Sequence, residues 1–136
     1  MSYAAAAALQ EAVFAHLGAD PAVTAILGGA IHDALPAGPV PPLYLSLGPE
    51  VARDRSDGSA HAAEHEITLS VVADAAGFHL AKTAAAAVCD ALASPELTLS
   101  RGRLISLHFI RATARRDGGG QRRRIDLTFR ARLDDI

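Results

Sequence analysis

The spacing of apolar residues changes several times along this chain, and each change marks an element. Over residues 3–17, Leu9, Val13 and Leu17 fall at i, i+4 and i+8 on one helical stripe, alanines fill the remainder, and Ser2 and Gly18 are placed to open and close the helix. Asp20-Pro21 supplies a cap with proline at the first helical position, and Gly28-Gly29 ends a second, short helix. A brief apolar segment at Ile31 predicts a minor strand. Residues 36–42 carry four prolines and predict a rigid loop. Leu43, Leu45 and Leu47 then alternate with Tyr44 and Ser46, the period of a half-buried strand.

Residues 48–60 lose that alternation. Gly48-Pro49 opens the stretch and Arg53-Asp54-Arg55-Ser56-Asp57-Gly58-Ser59 follows, which predicts a long polar loop. From His61 to Ala73 a period of two returns, with Ile67, Leu69 and Val71 on one face and Glu66, Thr68 and Ser70 on the other. Asp74 is placed to cap a helix over about 76–93 with Leu80, Ala84, Ala87, Val88 and Ala91 on one face, and Ser94-Pro95 stops it. Next, Ile105, Leu107 and Phe109 alternate with Ser106, His108 and Ile110. Asp117-Gly118-Gly119-Gly120 makes the turn, because glycine accepts positive φ. On the return strand Ile125, Leu127, Phe129, Ala131 and Leu133 face in, and Arg124, Asp126, Thr128, Arg130 and Arg132 face out. The order α, α, β, β, α, β, β, with its minor strand, predicts an α+β fold: a mainly antiparallel four- to five-stranded sheet with helices packed on one face. With neither linker nor internal repeat, residues 1–136 read as a single domain.

Composition narrows the class. Half of the residues are hydrophobic, but only 4% are aromatic and tryptophan is absent, so the core is built from Ala, Leu, Val and Ile. The apolar runs are short and alanine-rich, which predicts no membrane span. Residues 1–17 lack a basic n-region, which predicts no signal peptide. Cys89 is the one cysteine and has no partner for an internal disulfide, in keeping with a reducing cytoplasm. The net charge of −2 conceals a segregation: residues 1–100 hold three basic and eleven acidic groups, net −8, and residues 101–136 hold ten arginines and four aspartates, net +6. Such a split points to an electrostatic partner, or to two regions that neutralise each other within the fold.

Candidate chemistry is sparse. His61-Ala62-Ala63-Glu64-His65 matches H-x-x-E-H, which on a helix would set two imidazoles on one face for zinc with Glu64 as base. The strand pattern that follows directly argues against it, and the two histidines read as an exposed strand pair. His16, His32, His79 and His108 are scattered. His32 and Asp33 are adjacent in a strand and point apart. Cys89 lies on the apolar side of a helix and reads as a buried, inert thiol. Gly118-Gly119-Gly120 lacks the Lys-Ser/Thr of a phosphate loop. Arg115, Arg116, Arg122, Arg123 and Arg124 form a basic ribbon able to grip phosphates, without the interleaved aromatics of single-strand binding. No catalytic set, metal site or cofactor site emerges.

Several segments together resemble the tail-terminator (tail-completion) proteins of long-tailed phages. Asp20-Pro21-Ala22-Val23 resembles the family's short second helix. Gly28-Gly29-Ala30-Ile31-His32-Asp33-Ala34-Leu35-Pro36 resembles its Gly-x-Ile-Tyr-x-x-Pro-like stretch, with His32 at a more usual aromatic. Pro41-Pro42-Leu43-Tyr44 resembles the proline-led strand, and Ile67-Thr68-Leu69-Ser70-Val71 the central strand, with Val72 where tryptophan often follows. Ala76-Gly77-Phe78-His79-Leu80-Ala81-Lys82 and Ala91-Leu92 resemble the start and end of its helix, and Arg124 to Arg132 its last strand. The resemblance implies a non-enzymatic part of a virion or phage-like particle, in the tail-neck region, assembled in the host cytoplasm. It implies a homo-hexameric ring that caps the tail tube, ends elongation and meets a head-side connector or stopper protein, with DNA only as passing cargo. An alanine- and arginine-rich composition suits a high-GC host, including a prophage-derived gene-transfer particle. Another neck part, a stopper or head-tail joining protein, and a nucleic-acid-binding module using the arginine hairpin are the alternatives. On the ring reading, Arg122, Arg124, Arg130 and Arg132 meet an acidic face of the next copy, and Arg53, Asp54, Arg55 and Asp57 reach the tube or the neighbour from the 48–60 loop.

Overall fold

A computed structural model describes residues 3–33, 40–58, 61–93 and 95–134. Among these, the helices are α1 (Ala6–Ala19), α2 (Pro21–Leu27) and α3 (His79–Ala91), and the strands are β1 (Ile31–His32), β2 (Leu43–Asp54), β3 (Ala62–Ala73), β4 (Arg103–Asp117) and β5 (Arg122–Asp134). The sheet order is β1-β2-β3-β5-β4, antiparallel except for the two-residue parallel pairing of β1 with β2. The expected α+β class and its helix-covered sheet are therefore present. Strand β5 is inserted between β3 and β4, so the α3 crossover skips one position, a split β-α-β arrangement.

Local chemistry explains most boundaries. Asp20 caps α2 by accepting from the Ala22 and Val23 amides through Oδ1, both at 3.0 Å. α1 starts behind Ala5 with no side-chain cap, and Ser2, proposed as its cap, lies outside the described residues. Most of the 36–42 proline loop and Ser94 also lie outside them. α3 is shorter than expected: Phe78 stands at its N-cap, and Asp74 does not cap it. The hairpin turn is as the glycines dictate, since Gly118, Gly119 and Gly120 all take positive φ.

One sheet face is buried under the helices. Leu45, Leu69, Val71, Ile125, Leu127, Phe129 and Leu133 meet Leu9, Val13 and Leu17 of α1, Val23 of α2 and Val88 of α3 in one core. Three expectations need correction here. Leu80 is 42% exposed, because α3 turns the stripe Ala81, Ala84, Ala85 and Val88 to the core instead. Ile105 is exposed because β4 is bulged between Leu104 and Ser106, leaving it out of register. Thr128 points away from the helices yet is buried, with Thr68 and Arg111 beside it in register.

The long loop at 48–60 is also corrected. β2 continues through it to Asp54, and Glu50–Asp54 pair with Ala63–Ile67 of β3. Gly48-Pro49 is a bulge between Leu47 and Glu50, which is where a strand tolerates proline. The bulge needs glycine for space. A Cβ on Gly48 would lie 2.8 Å from the Thr68 carbonyl oxygen of the central strand. Gly48→Ala is therefore expected to lower stability by about 1–3 kcal/mol in urea denaturation. Gly29→Ala, with nothing within 4 Å of the added carbon, is expected to be near neutral in the same assay.

Candidate functional site

The sheet face away from the helices is polar apart from a buried patch at Tyr44 and Val72, and its charges are arranged in rows across strands. Glu64 and Glu66 of β3 stand between arginines of β2 and β5. Arg53 reaches Glu66 at 3.5 Å, Arg55 reaches Glu64 at 3.1 Å, and Arg130 reaches Glu64 at 3.0 Å and Glu66 at 3.2 Å. The hydrogen bond from Arg130, above the other causes, holds the Glu66 carboxyl below the usual carboxylate range. A second group lies nearer the hairpin. Arg124 contacts Asp126 at 2.9 Å, Asp117 at 3.6 Å and the Ser70 hydroxyl at 3.2 Å, and Arg115 reaches Asp126 at 3.4 Å. Burial pushes the Asp126 carboxyl up, but hydrogen bonds from Ser70 and Arg124 outweigh it, and the net shift is down.

Of the eight residues singled out from sequence, Arg53, Arg55 and Arg130 share the first group and Arg124 belongs to the second. Asp54 points to the other side of β2, where Oδ1 accepts from the Ser56 amide at 3.0 Å. Asp57 is exposed in the β2–β3 turn, Arg122 at the shoulder of the hairpin, and Arg132 lies in register between Glu64 and Ser106. The acidic partners Glu64, Glu66, Asp117 and Asp126 were the missing half. Alternation already placed Glu66 and Asp126 on the outer face; continued along β3 it also places Glu64 there, while Asp117 closes β4 at the turn.

Two polar residues sit beneath the helices. His65 is fully buried, not exposed as the sequence pattern was read. The alternation Ile67, Leu69, Val71, continued backward, places it on the core face. Its Nδ1 is 2.8 Å from Glu50 Oε2, and the Tyr3 ring stacks on it at 6.0 Å while donating its hydroxyl to Glu50. Arg123 is likewise buried: its guanidinium donates to the Ala76 and Gly120 carbonyls at 2.6 and 2.8 Å and lies over the Phe78 ring. It ties the hairpin to the approach of α3 and is not part of an open basic ribbon. The H-x-x-E-H residues separate, with Glu64 on the polar face and His65 in the core. Among the described residues no three of His, Cys, Asp and Glu are grouped to hold a metal ion.

Apolar surface remains at both flanks of the helix layer. Beyond α3, strand β4 projects uncovered, and a trough of about 280 Å³ runs between Lys82, Ala85, Ala86 and Cys89 on α3 and Phe109, Ala112 and Ala114 on β4. Phe109 is 53% exposed and contacts buried Phe129 edge to face at 5.8 Å. Burial, and then the neighbouring Asp90, push the Cys89 thiol up, and its side chain is half-buried in the trough wall. On the opposite flank, α1 presents Phe14, 44% exposed, over a hollow with Ala7, Gln10, Glu11, Asp33 and Leu47.

Charge rows paired across strands and apolar flanks suit a building block of an assembly. The family profile of "Tail completion protein gp17" matches residues 11–134, and the chain belongs to this family, a structural part of phage-type tails. A chain of the "Virion of native gene transfer agent (GTA) particle" is 53% identical, with a TM-score of 0.93 over 98% of this chain and 99% of that one. A comparison with curated proteins gives no match. Among the described residues no helix is long and apolar enough to cross a membrane.

Proposed function

We propose that this protein forms a homo-hexameric ring on the head-proximal end of the finished tail tube. The ring ends elongation and joins the tail to a head-side connector or stopper protein, with DNA as passing cargo. The observation that carries the reading is the near-full-length likeness, at 53% identity, to a chain of a gene transfer agent virion, together with membership of a tail-completion family. The fold supports it. Two different apolar flanks at opposite sides of one subunit are what a closed, head-to-tail ring requires. The polar face argues against the nucleic-acid module, since Arg115, Arg124 and Arg130 are held in pairs and Arg123 is buried.

Deleting the gene in its producing cell and imaging the particles tests the assignment. The expected result is tails of irregular, excessive length without heads. Tails of normal length lacking heads would assign the chain to a stopper or joining role instead. Normal, filled and infective or transferring particles would refute any role in the neck.

A further inference from the structure

The two apolar flanks raise the question of what covers them. Leu9, Val13 and Leu17 of α1 face the core, while Ala7, Phe14 and Ala15 are exposed on the other side beside Gln10 and Glu11, so a large apolar ring stands on a face that is otherwise small or polar. On the other flank the helix layer stops one strand short of the sheet edge, so α3 forms a wall and β4 a floor with no third side. The wall is made of Ala85, Ala86 and Cys89, small enough for a second helix to approach closely. The two sites differ in net charge: Asp90 stands beside Cys89, but two cations flank the trough and two acids border the hollow. Lys82 stands on the wall and Arg116 extends the floor strand toward the hairpin, whereas Glu11 and Asp33 border the Phe14 hollow.

We infer that the outer face of α1 from one copy seats in the α3–β4 trough of the next copy, with Phe14 packing against Phe109 and Glu11 approaching Lys82. The inference rests on the ring reading above and specifies its contact. The partner's α1 would lie along α3 on the side opposite the chain's own α1, so the helix layer would continue unbroken from subunit to subunit. The contact is heterologous, since each copy offers two different surfaces on opposite flanks, which permits closure. It also relocates the expected contact: Arg53, Arg55, Arg115, Arg124 and Arg130 of the outer sheet face are paired within the chain, and the helix layer makes the joint.

Cysteine crosslinking tests the seating, because Cys89 already lies in the trough. Phe14→Cys, in the purified chain and in assembled particles, is expected under oxidation to give a ladder extending beyond dimers. The ladder is expected to vanish when Cys89→Ser is added, and Arg132→Cys on the polar face is expected to give none. As an independent readout, Lys82→Glu and Glu11→Lys are each expected to weaken self-association at least tenfold, and the two together to restore much of it. Phe109→Glu is expected to leave the circular dichroism spectrum unchanged and abolish the ladder. If rings form but no Cys89-dependent ladder appears and Phe109→Glu assembles normally, the contact is wrong and the ring reading stands. A Phe14→Cys dimer that survives Cys89→Ser would mark an α1–α1 contact, and a crosslink to a different tail protein another occupant; either overturns the seating. A chain that stays monomeric both in solution and on tail tubes would remove the ring reading itself.

Discussion

Phe129→Ala is expected to destabilise the chain by about 3–5 kcal/mol, the usual cost of emptying an aromatic site in a packed core. Phe129 is 1% exposed in the middle of β5, the strand flanked by partners on both sides. The core around it is mostly alanine, leucine and valine, and small side chains fixed to sheet and helix backbones cannot collapse into the vacancy. Its ring also supports Phe109 edge to face, so the floor of the trough should lose definition along with the core. Urea denaturation of Phe129→Ala and Phe129→Leu checks this. The leucine variant is expected to recover more than half of the loss.

His65→Ala is expected to cost about 2–4 kcal/mol, because it removes a buried side chain and leaves the largely covered Glu50 carboxylate with the Tyr3 hydroxyl in place of two partners. The effect has a pH signature. Burial raises the Glu50 pKa, but hydrogen bonds from His65 and Tyr3 outweigh it and the net shift is down. A carboxyl depressed in the folded state contributes stability above its unfolded pKa, and that contribution is lost as pH falls through the lower folded value. The gap between wild type and His65→Ala should therefore be full at neutral pH and narrow below about pH 4. Denaturation midpoints at pH 7 and pH 3 measure it. A gap that is equal at both would mean that His65 acts by packing alone.

The fold was legible where period and turn chemistry agreed. The core face of β5, from Ile125 to Leu133, and the glycine turn before it follow directly from alternation and positive φ. The second half of β2 was hidden for a physical reason. Past Gly48-Pro49 the core-facing positions of β2 are Glu50, Ala52 and Asp54, which break the apolar period, while on the other face Arg53 pairs with Glu64 and Glu66. Those acids lie on another strand, so local sequence cannot reveal the pairing. The same holds for the charge segregation along the chain. Glu64 and Glu66 of β3 lie beside β5 in the sheet, where Arg130 bridges the acidic and basic parts of the chain. His65 and Arg123 were legible in principle, since each continues the core-facing register of its strand. Their polarity masks them, since a charged or imidazole side chain at a core position has the look of a solvent-facing one. The apolar flanks were the least legible, because exposure depends on where the helix layer ends, a property of tertiary packing.

The sheet's two borders bear on how such a chain avoids polymerising without limit. One border strand, β1, is only two residues long, and the other, β4, carries bulges at Ile105 and Ile110 and arginines at 103, 111 and 115. Short, kinked and charged borders are poor templates for backbone-to-backbone ribbons, the commonest route to fibrous aggregates. Such borders disfavour edge-to-edge zippering of copies into an open stack, and so favour side-chain joints between them. A protein that must accumulate before its particle is ready gains from that restriction, because angular joints yield a countable object whereas ribbons grow until material runs out.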